Sequence, residues 1–282
     1  MPIEHISDTA RWVATYRAME TERADAIFRD PFARRLAGER GEEIVRAMPR
    51  GREMAWAMIV RTALFDEMIL DRVRAGADLV LNLAAGLDAR PWRLPLPPAL
   101  RWVDVDLPGI LDYKAESLRG ERPACAYEAV ALDLRDEAKR QALFAQTGAG
   151  ARAALVIAEG LLLYLTPEQV GTLARDLHGP RSFRWWLIDI ANPRLLEMMQ
   201  KMWGKSVQQG NAPFRFAPAE GTAFFRPFGW REAAFRSTIE EARRLRREMR
   251  MMWLWRLLAR FASRERREEA RRTSGAVLLE RE

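Results

Sequence analysis

Residues 78–90 read DLVLNLAAGLDAR. The run Leu79–Leu83 is apolar almost throughout, which suits a strand covered on both faces. It breaks at Ala84-Ala85-Gly86. Outward from this stretch the pattern repeats. RWVDVDLP (101–108), AYEAVALDL (126–134), AALVIAEG (153–160) and RWWLIDIAN (184–192) are short apolar runs. Helix-compatible segments near 109–119, 136–146 and after Gly160 separate them. Strands joined by helices imply right-handed crossovers and a mostly parallel, doubly wound α/β sheet of Rossmann-like type. SGAVLLER (274–281) reads as a last strand.

Upstream, residues 7–74 read as helical. Ser7 and Asp8 cap ARWVATYRAME, and Asp30 caps DPFARRL with Pro31 at its first helical position. A longer helix over 52–74 places Met58, Ile59, Phe65, Met68 and Ile69 on one face. The expected organisation is an N-terminal helical cap over 1–76 and a core over 77–282. Within the core, about 193–230 reads as a lid, loop-rich over 204–229, and about 231–272 as a basic helix.

Composition narrows the chemistry. The chain of 282 residues is 49% hydrophobic, enough for a sizeable core, and carries one cysteine, Cys125, read as a buried small residue. His5 and His178 are its two histidines and stand far apart, so a histidine- or cysteine-ligated metal site is not expected. His178 reads as a helix C-terminal residue satisfying the last carbonyls. The opening residues, MPIEHISDTARW, lack a basic region followed by an apolar run, and no stretch of about 18 apolar residues occurs. A cytoplasmic protein is the expectation. The net charge is +7, and the stretch 240–272 alone holds twelve Arg and six Glu. A basic excess so localised is poor support for nucleic-acid binding. Its apolar centre, MMWLWRLLARF (251–261), reads as a packing or dimer-forming helix. The sharper alternative is an interfacial helix of a non-catalytic adenosine-binding or membrane-surface module.

Ligands of open α/β sheets sit beyond the carboxyl ends of the strands. Gly86 lets the backbone approach a ligand closely. Asp106 follows it by 20 residues, the spacing of a ribose-binding acid, and Asp104 shares its strand face. Asp133-Leu134 and Glu159-Gly160 load the next two strand ends. This arrangement suits a nucleoside, without separating nicotinamide cofactors from S-adenosylmethionine. No G-x-G-x-x-G occurs, which disfavours a pyrophosphate.

Six ordered segments add a resemblance. SDTARWVATYRAME with DPFARRLAG (7–38), RTALFDEMI (61–69), NLAAGLDARPWRL (82–94), VDVDLPGILDYK (103–114), LDLRD (132–136) and EGLLLYLTPEQV (159–170) resemble the leucine carboxyl methyltransferase family. They look most like its bacterial branch of S-adenosylmethionine-dependent O-methyltransferases, with the class I methyltransferase fold. The resemblance implies S-adenosylmethionine as cofactor. It implies Arg61 as partner of the methionine carboxylate, Gly86 as the close-approach glycine and Asp106, with Asp104, as the ribose acid. Asp133 and Leu134 become the adenine contacts, Glu159 an acid near the methionine end and Arg17 a second carboxylate partner. Ala89 and Asp104 depart from the family's usual Thr and Glu.

Each residue has a plainer reading: Arg61 as a surface or helix-dipole residue, Arg17 as a rim salt bridge, the acids as helix caps. Methyl transfer needs nucleophile, carbon and sulfur in line, an orientation worth up to roughly 7–11 kcal/mol. A carboxylate acceptor is ionised at neutral pH and needs no general base, whereas a hydroxyl acceptor does. The acceptor expected is a carboxylate first, a hydroxyl second, on a small molecule or peptide. Tyr164 and the 204–229 segment are placed at the acceptor pocket by their position.

Overall fold

The computed structural model describes residues 8–209, 213–249, 252 and 263–282. Three helices come first, α1 (Asp8–Thr21), α2 (Ala33–Ala47, broken at Gly38) and α3 (Ala55–Arg74). Then follow β1 (Leu79–Leu83), α4 (Arg90–Arg93), β2 (Arg101–Asp106), α5 (Pro108–Ser117), β3 (Ala126–Ala131), α6 (Glu137–Ala149) and β4 (Ala154–Ala158). A 3-10 turn at Leu162–Tyr164 leads into α7 (Pro167–Leu177), β5 (Phe183–Ala191) and α8 (Pro193–Gln209). A second 3-10 segment (Gly221–Phe228), β6 (Trp230–Ser237), α9 (Thr238–Arg244), α10 (Arg264–Arg271) and β7 (Ser274–Arg281) complete it.

The seven strands form one sheet in the order β3-β2-β1-β4-β5-β7-β6. The first five pair in parallel, and β7 runs antiparallel to both β5 and β6. The doubly wound α/β sheet read from the sequence is therefore present. β1 and β4 are buried at every position because helices cover both faces. Period-two alternation sorts their side chains. Leu79, Leu81, Val156, Trp186 and Val277 pack towards α6 and α7 through Phe144, Leu173 and Leu177. Val80, Trp102, Leu155, Ile157 and Leu187 pack towards α3 through Val60, Leu64, Phe65 and Ile69.

That alternation places the site. Asn82, Asp104, Asp106 and Asp189 share parity with the residues that face α3. The polar ends of the central strands thus gather on the side where α3 carries Arg61.

Four sequence expectations need correction. α2 starts at Ala33, not at Pro31, and Asp30 is a fully buried partner of Arg17 rather than a simple cap. The expected basic helix over 231–272 is not continuous. Trp230–Ser237 is an edge strand, α9 ends at Arg244, and Arg246 has φ of 54°, a left-handed value outside any α-helix. Residues 250–251 and 253–262 of that expected helix lie outside the described residues. The lid is less loop-rich than read, since α8 runs through to Gln209. His178 does end α7, and its backbone N–H bonds Ala174 O and Arg175 O, yet its side-chain Nε2 is buried with no partner among the described residues and the ring packs edge-on to Trp230.

Candidate functional site

One cavity of about 760 Å³ opens above the carboxyl ends of β1, β2, β4 and β5 and the loop after β3. Its size falls within the range of roughly 300–1,000 Å³ usual for small-molecule sites. Arg17, Arg61, Gly86, Asp106, Asp133, Leu134, Glu159 and Tyr164 all line it. The structure thus brings together every residue singled out from the sequence except Asp104.

Asp104 is fully buried and saturated. Its Oδ1 accepts from Asn82 Nδ2 (3.0 Å) and Trp102 Nε1 (2.8 Å), and its Oδ2 from Lys114 Nζ and Tyr127 Oη (3.0 Å). It does not line the cavity, so the ribose-sharing role expected of it does not fit this placement. Period two puts both acids on one face, but only the one at the strand's last position clears the sheet.

Asp106 is that residue. Gly86 N–H donates to its Oδ2 (2.6 Å) and Leu107 N–H to its Oδ1 (2.7 Å). Each oxygen keeps one acceptor site for a ligand hydroxyl. Burial pushes its carboxyl above the usual range, against the pull of these two amides. Gly86 has φ of +52°, and a Cβ there would lie 3.1 Å from Ala10 Cβ of α1. Glycine is thus required by the turn and by the close helix as well as by any ligand.

Arg61 sits where β4 and β5 end. Its Nε donates to Glu159 Oε1 (2.9 Å) and its Nη1 to Asp189 Oδ2 (3.0 Å). Asp189 Oδ1 also accepts from Gly160 N (2.6 Å). Burial alone would depress the Arg61 pKa, but the two carboxylates outweigh it and raise it. Gly160 has φ of +67°, and a Cβ there would stand 3.2 Å from Arg61 Nη1, so glycine leaves the guanidinium its place.

Behind Arg61 lies a second arginine that the sequence reading missed. Arg90 is buried and binds Asp66 (2.6 Å), Asp88 (2.7 Å) and Glu159 (2.8 Å). Arg93 continues the chain to Asp66 and Asp30, and Arg17 closes it on Asp30 (2.8 Å). Arg17 also donates to Leu87 O (2.6 Å), clamping the Gly86 turn. Asp88 is held at about 2: burial pushes it up, but Arg90, Lys114 and Arg93 pull it further down. Asp189 was missed as well: it lies in β5, where no spacing from Gly86 of the kind that marked Asp106 singled it out.

At the β3 end, Asp133 forms a bidentate pair with Arg135 (2.6 Å at the shorter contact), which lowers its pKa. Leu132 and Leu134 flank it on the cavity wall. At the opposite end, burial pushes the Tyr164 phenol up to about 12 despite nearby Arg61, and its ring lies 5.6 Å from that of Phe214. Tyr164 stays protonated at neutral pH.

A doubly wound sheet with one deep, acid-rimmed cavity over its carboxyl ends defines a Rossmann-like protein built for a nucleoside-sized ligand. The chain belongs to the leucine carboxyl methyltransferase family, whose model matches residues 10–178. A Mycobacterium ulcerans relative, named "Putative S-adenosyl-L-methionine-dependent methyltransferase", is 38% identical over 57% of this chain and 58% of its own length. The matches thus span less than two thirds of the curated relatives. A crystal structure of a DUF574 family protein from Streptomyces avermitilis superposes with a TM-score of 0.61 at 14% identity, over 95% of this chain and 97% of that one. A "putative methyltransferase" from Thermobifida fusca superposes with 0.57 at 16% identity, over 100% and 96%. At such identities the likeness is one of fold, the class I methyltransferase arrangement. Among the described residues no helix is long and apolar enough to cross a membrane.

Proposed function

We propose that the chain is an S-adenosylmethionine-dependent O-methyltransferase whose acceptor group is a carboxylate. The observation that carries the reading is the shared hollow: Asp106 and Asp133 at one end and Arg61 at the other line a single cavity. The donor set fits the cofactor. Asp106 accepts from ribose hydroxyls through its free lone pairs. Leu132 and Leu134 flank the adenine, with Asp133 at its edge. Arg61 Nη2, which has no partner among the described residues, takes the amino-acid carboxylate, while Asp189 and Glu159 face the ammonium.

Charge supports the same ligand. Arg17, Arg61, Arg90 and Arg93 are linked to Asp30, Asp66, Asp88, Glu159 and Asp189, one more acid than base, and Asp106 adds another. That surplus of acids lies around Arg61 and the Gly86 turn, and suits the ligand's cationic sulfur and ammonium. Bound there, S-adenosylmethionine supplies an electrophilic methyl on a cationic sulfur.

What the site lacks to spare supports the carboxylate acceptor. Among the described residues, each acid lining the cavity already holds a guanidinium or two backbone amides. Tyr164 is kept protonated, and His178 does not line the cavity. A hydroxyl acceptor would need one of these acids to leave its partner. A carboxylate needs none: its oxygen forms the new O–CH3 bond as the S–CH3 bond breaks, the electron pair stays on sulfur, and no proton is released. Labelled cofactor should therefore give a product whose label is lost as methanol in mild alkali. Label retained in an alkali-stable ether would overturn the carboxylate assignment.

A further inference from the structure

The Arg61 cluster divides the cavity into two unlike halves. The half over β1, β2 and the β3 loop offers carboxylates and backbone amides. The half beyond β4 and β5 is walled by Trp12 of α1, Met58 of α3, Tyr164, Met199 and Trp203 of α8, and Phe214. None of these side chains carries a charge. Met58 lies one helical turn before Arg61, so the apolar half begins where the polar half ends.

The apolar walls combine fixed and adaptable parts. The Trp12 and Trp203 rings meet edge to face at 5.3 Å, and Trp203 Nε1 donates to Pro49 O (3.0 Å). Met58 and Met199 are unbranched and can adjust to an occupant's shape. Met198, also on the wall, is 45% exposed, the one large apolar side chain that open among the described residues.

One cation overlooks this half. Arg215 is exposed, and its backbone N–H donates to Leu163 O (2.7 Å), fixing it beside the Tyr164 turn. Arg17, Arg61, Arg90 and Arg135 line the same cavity and all have acidic partners. The Arg215 guanidinium has none among the described residues.

We propose that the acceptor half takes a lipophilic carboxylic acid, with an acyl chain or aryl body against Trp12, Trp203, Phe214 and Met199. Arg215 draws the anion in from the mouth, and the carboxylate ends at the Arg61 side. This rests on the methyl-transfer reading for the fate of the acid, but the binding preference stands on the cavity walls alone. A sugar acid or a polar peptide would strand its hydrogen-bonding groups against uncharged aromatic and thioether surface.

Calorimetry on the full chain, with and without adenosylhomocysteine, tests this with straight-chain carboxylates from butanoate to decanoate, 2-naphthoate, gluconate and the peptide acetyl-Gly-Ser-Gly. Affinity should tighten about fourfold per methylene until the cavity is filled. Gluconate and the peptide should not bind. Met199→Gln, at a partly buried position, should weaken decanoate at least fivefold and leave adenosylhomocysteine affinity unchanged. Arg215→Gln should weaken the acids about two- to fivefold at low salt, and the corresponding neutral amides not at all. A flat series, gluconate binding as tightly as decanoate, or no effect of Met199→Gln would overturn the proposal. A steep series with no adenosylhomocysteine binding would uphold the lipophilic pocket and contradict the methyl-transfer reading instead.

Discussion

Two carboxylates of the same face, Asp104 and Asp106, differ in what surrounds them, and that difference separates structure from function. Asp104 meets four donors inside the sheet, while Asp106 meets two backbone amides at its edge. Because burial raises the Asp106 pKa, its ionised form is lost at higher pH than for an ordinary aspartate. Adenosylhomocysteine affinity should therefore fall on acidification with a midpoint above that of a free side chain, and Asp106→Asn should remove this midpoint. Asp88 has the opposite sign. Its folded pKa, about 2, is below the unfolded value near 3.8, so its stabilisation is present above pH 4 and lost as pH falls towards 2. At neutral pH that contribution is about 2 kcal/mol. Asp88→Asn should lower unfolding stability at pH 7 by about that amount, with the gap to wild type closing between pH 4 and pH 2 in denaturant titrations. A gap independent of pH would contradict it. At this scale the sequence marked Asp106, Arg61 and Glu159 through position and resemblance. It did not mark Asp189 or Arg90, because which acid an arginine pairs with is decided by chain crossings far apart in sequence.

Among elements, the segment after α9 shows how the basic C-terminal stretch is used. Arg247 is buried and grips both oxygens of Glu20, itself fully buried at the end of α1, and also reaches Asp25 O (2.5 Å). Burial would lower its pKa, but the Glu20 hydrogen bond is the larger influence and raises it. This ties residues near Met249, on the cavity wall, to the helix that carries Trp12. Without the arginine the buried Glu20 carboxylate keeps, among the described residues, only the Ile27 N–H (2.8 Å) and a long contact to Arg23 (3.7 Å), so Arg247→Met should cost about 3 kcal/mol. Arg247→Met with Glu20→Gln should cost clearly less than the sum of the two single changes in thermal or chemical unfolding. Simple additivity would show that the pair is not coupled. The strands differ in how readable they were. β1, β4 and β5 are covered on both faces and show as apolar runs. β6 is an edge strand carrying Arg231, Glu232 and Arg236, charges that discourage further strand pairing and that in sequence resemble a solvated helix.

At the scale of the molecule, the sheet order puts polar and apolar chemistry on opposite sides of one charged cluster. β2 and the loop after β3 supply the carboxylate-lined half, and β4, β5 and the helices after them supply the apolar half. The N-terminal helices contribute to both, since α1 brings Ala10 to the Gly86 turn and Trp12 to the far wall. Fold class and the residues of the carboxylate-lined half were legible because strand ends recur in order along the chain. The apolar half was legible only in part: Tyr164 and the 204–229 segment, which holds Phe214 and Arg215, were placed there, but Trp12, Met58 and Met199 come from α1, α3 and α8, which no local pattern joins.

The most direct test of the account is calorimetric titration of adenosylhomocysteine into the wild-type chain, Asp106→Ala and Arg61→Ala. Each lost charged hydrogen bond should cost about 1.5–3 kcal/mol, so both variants should bind at least tenfold more weakly than wild type. Undiminished affinity in both variants would mean that the cavity joining Asp106 to Arg61 is not where the cofactor lies.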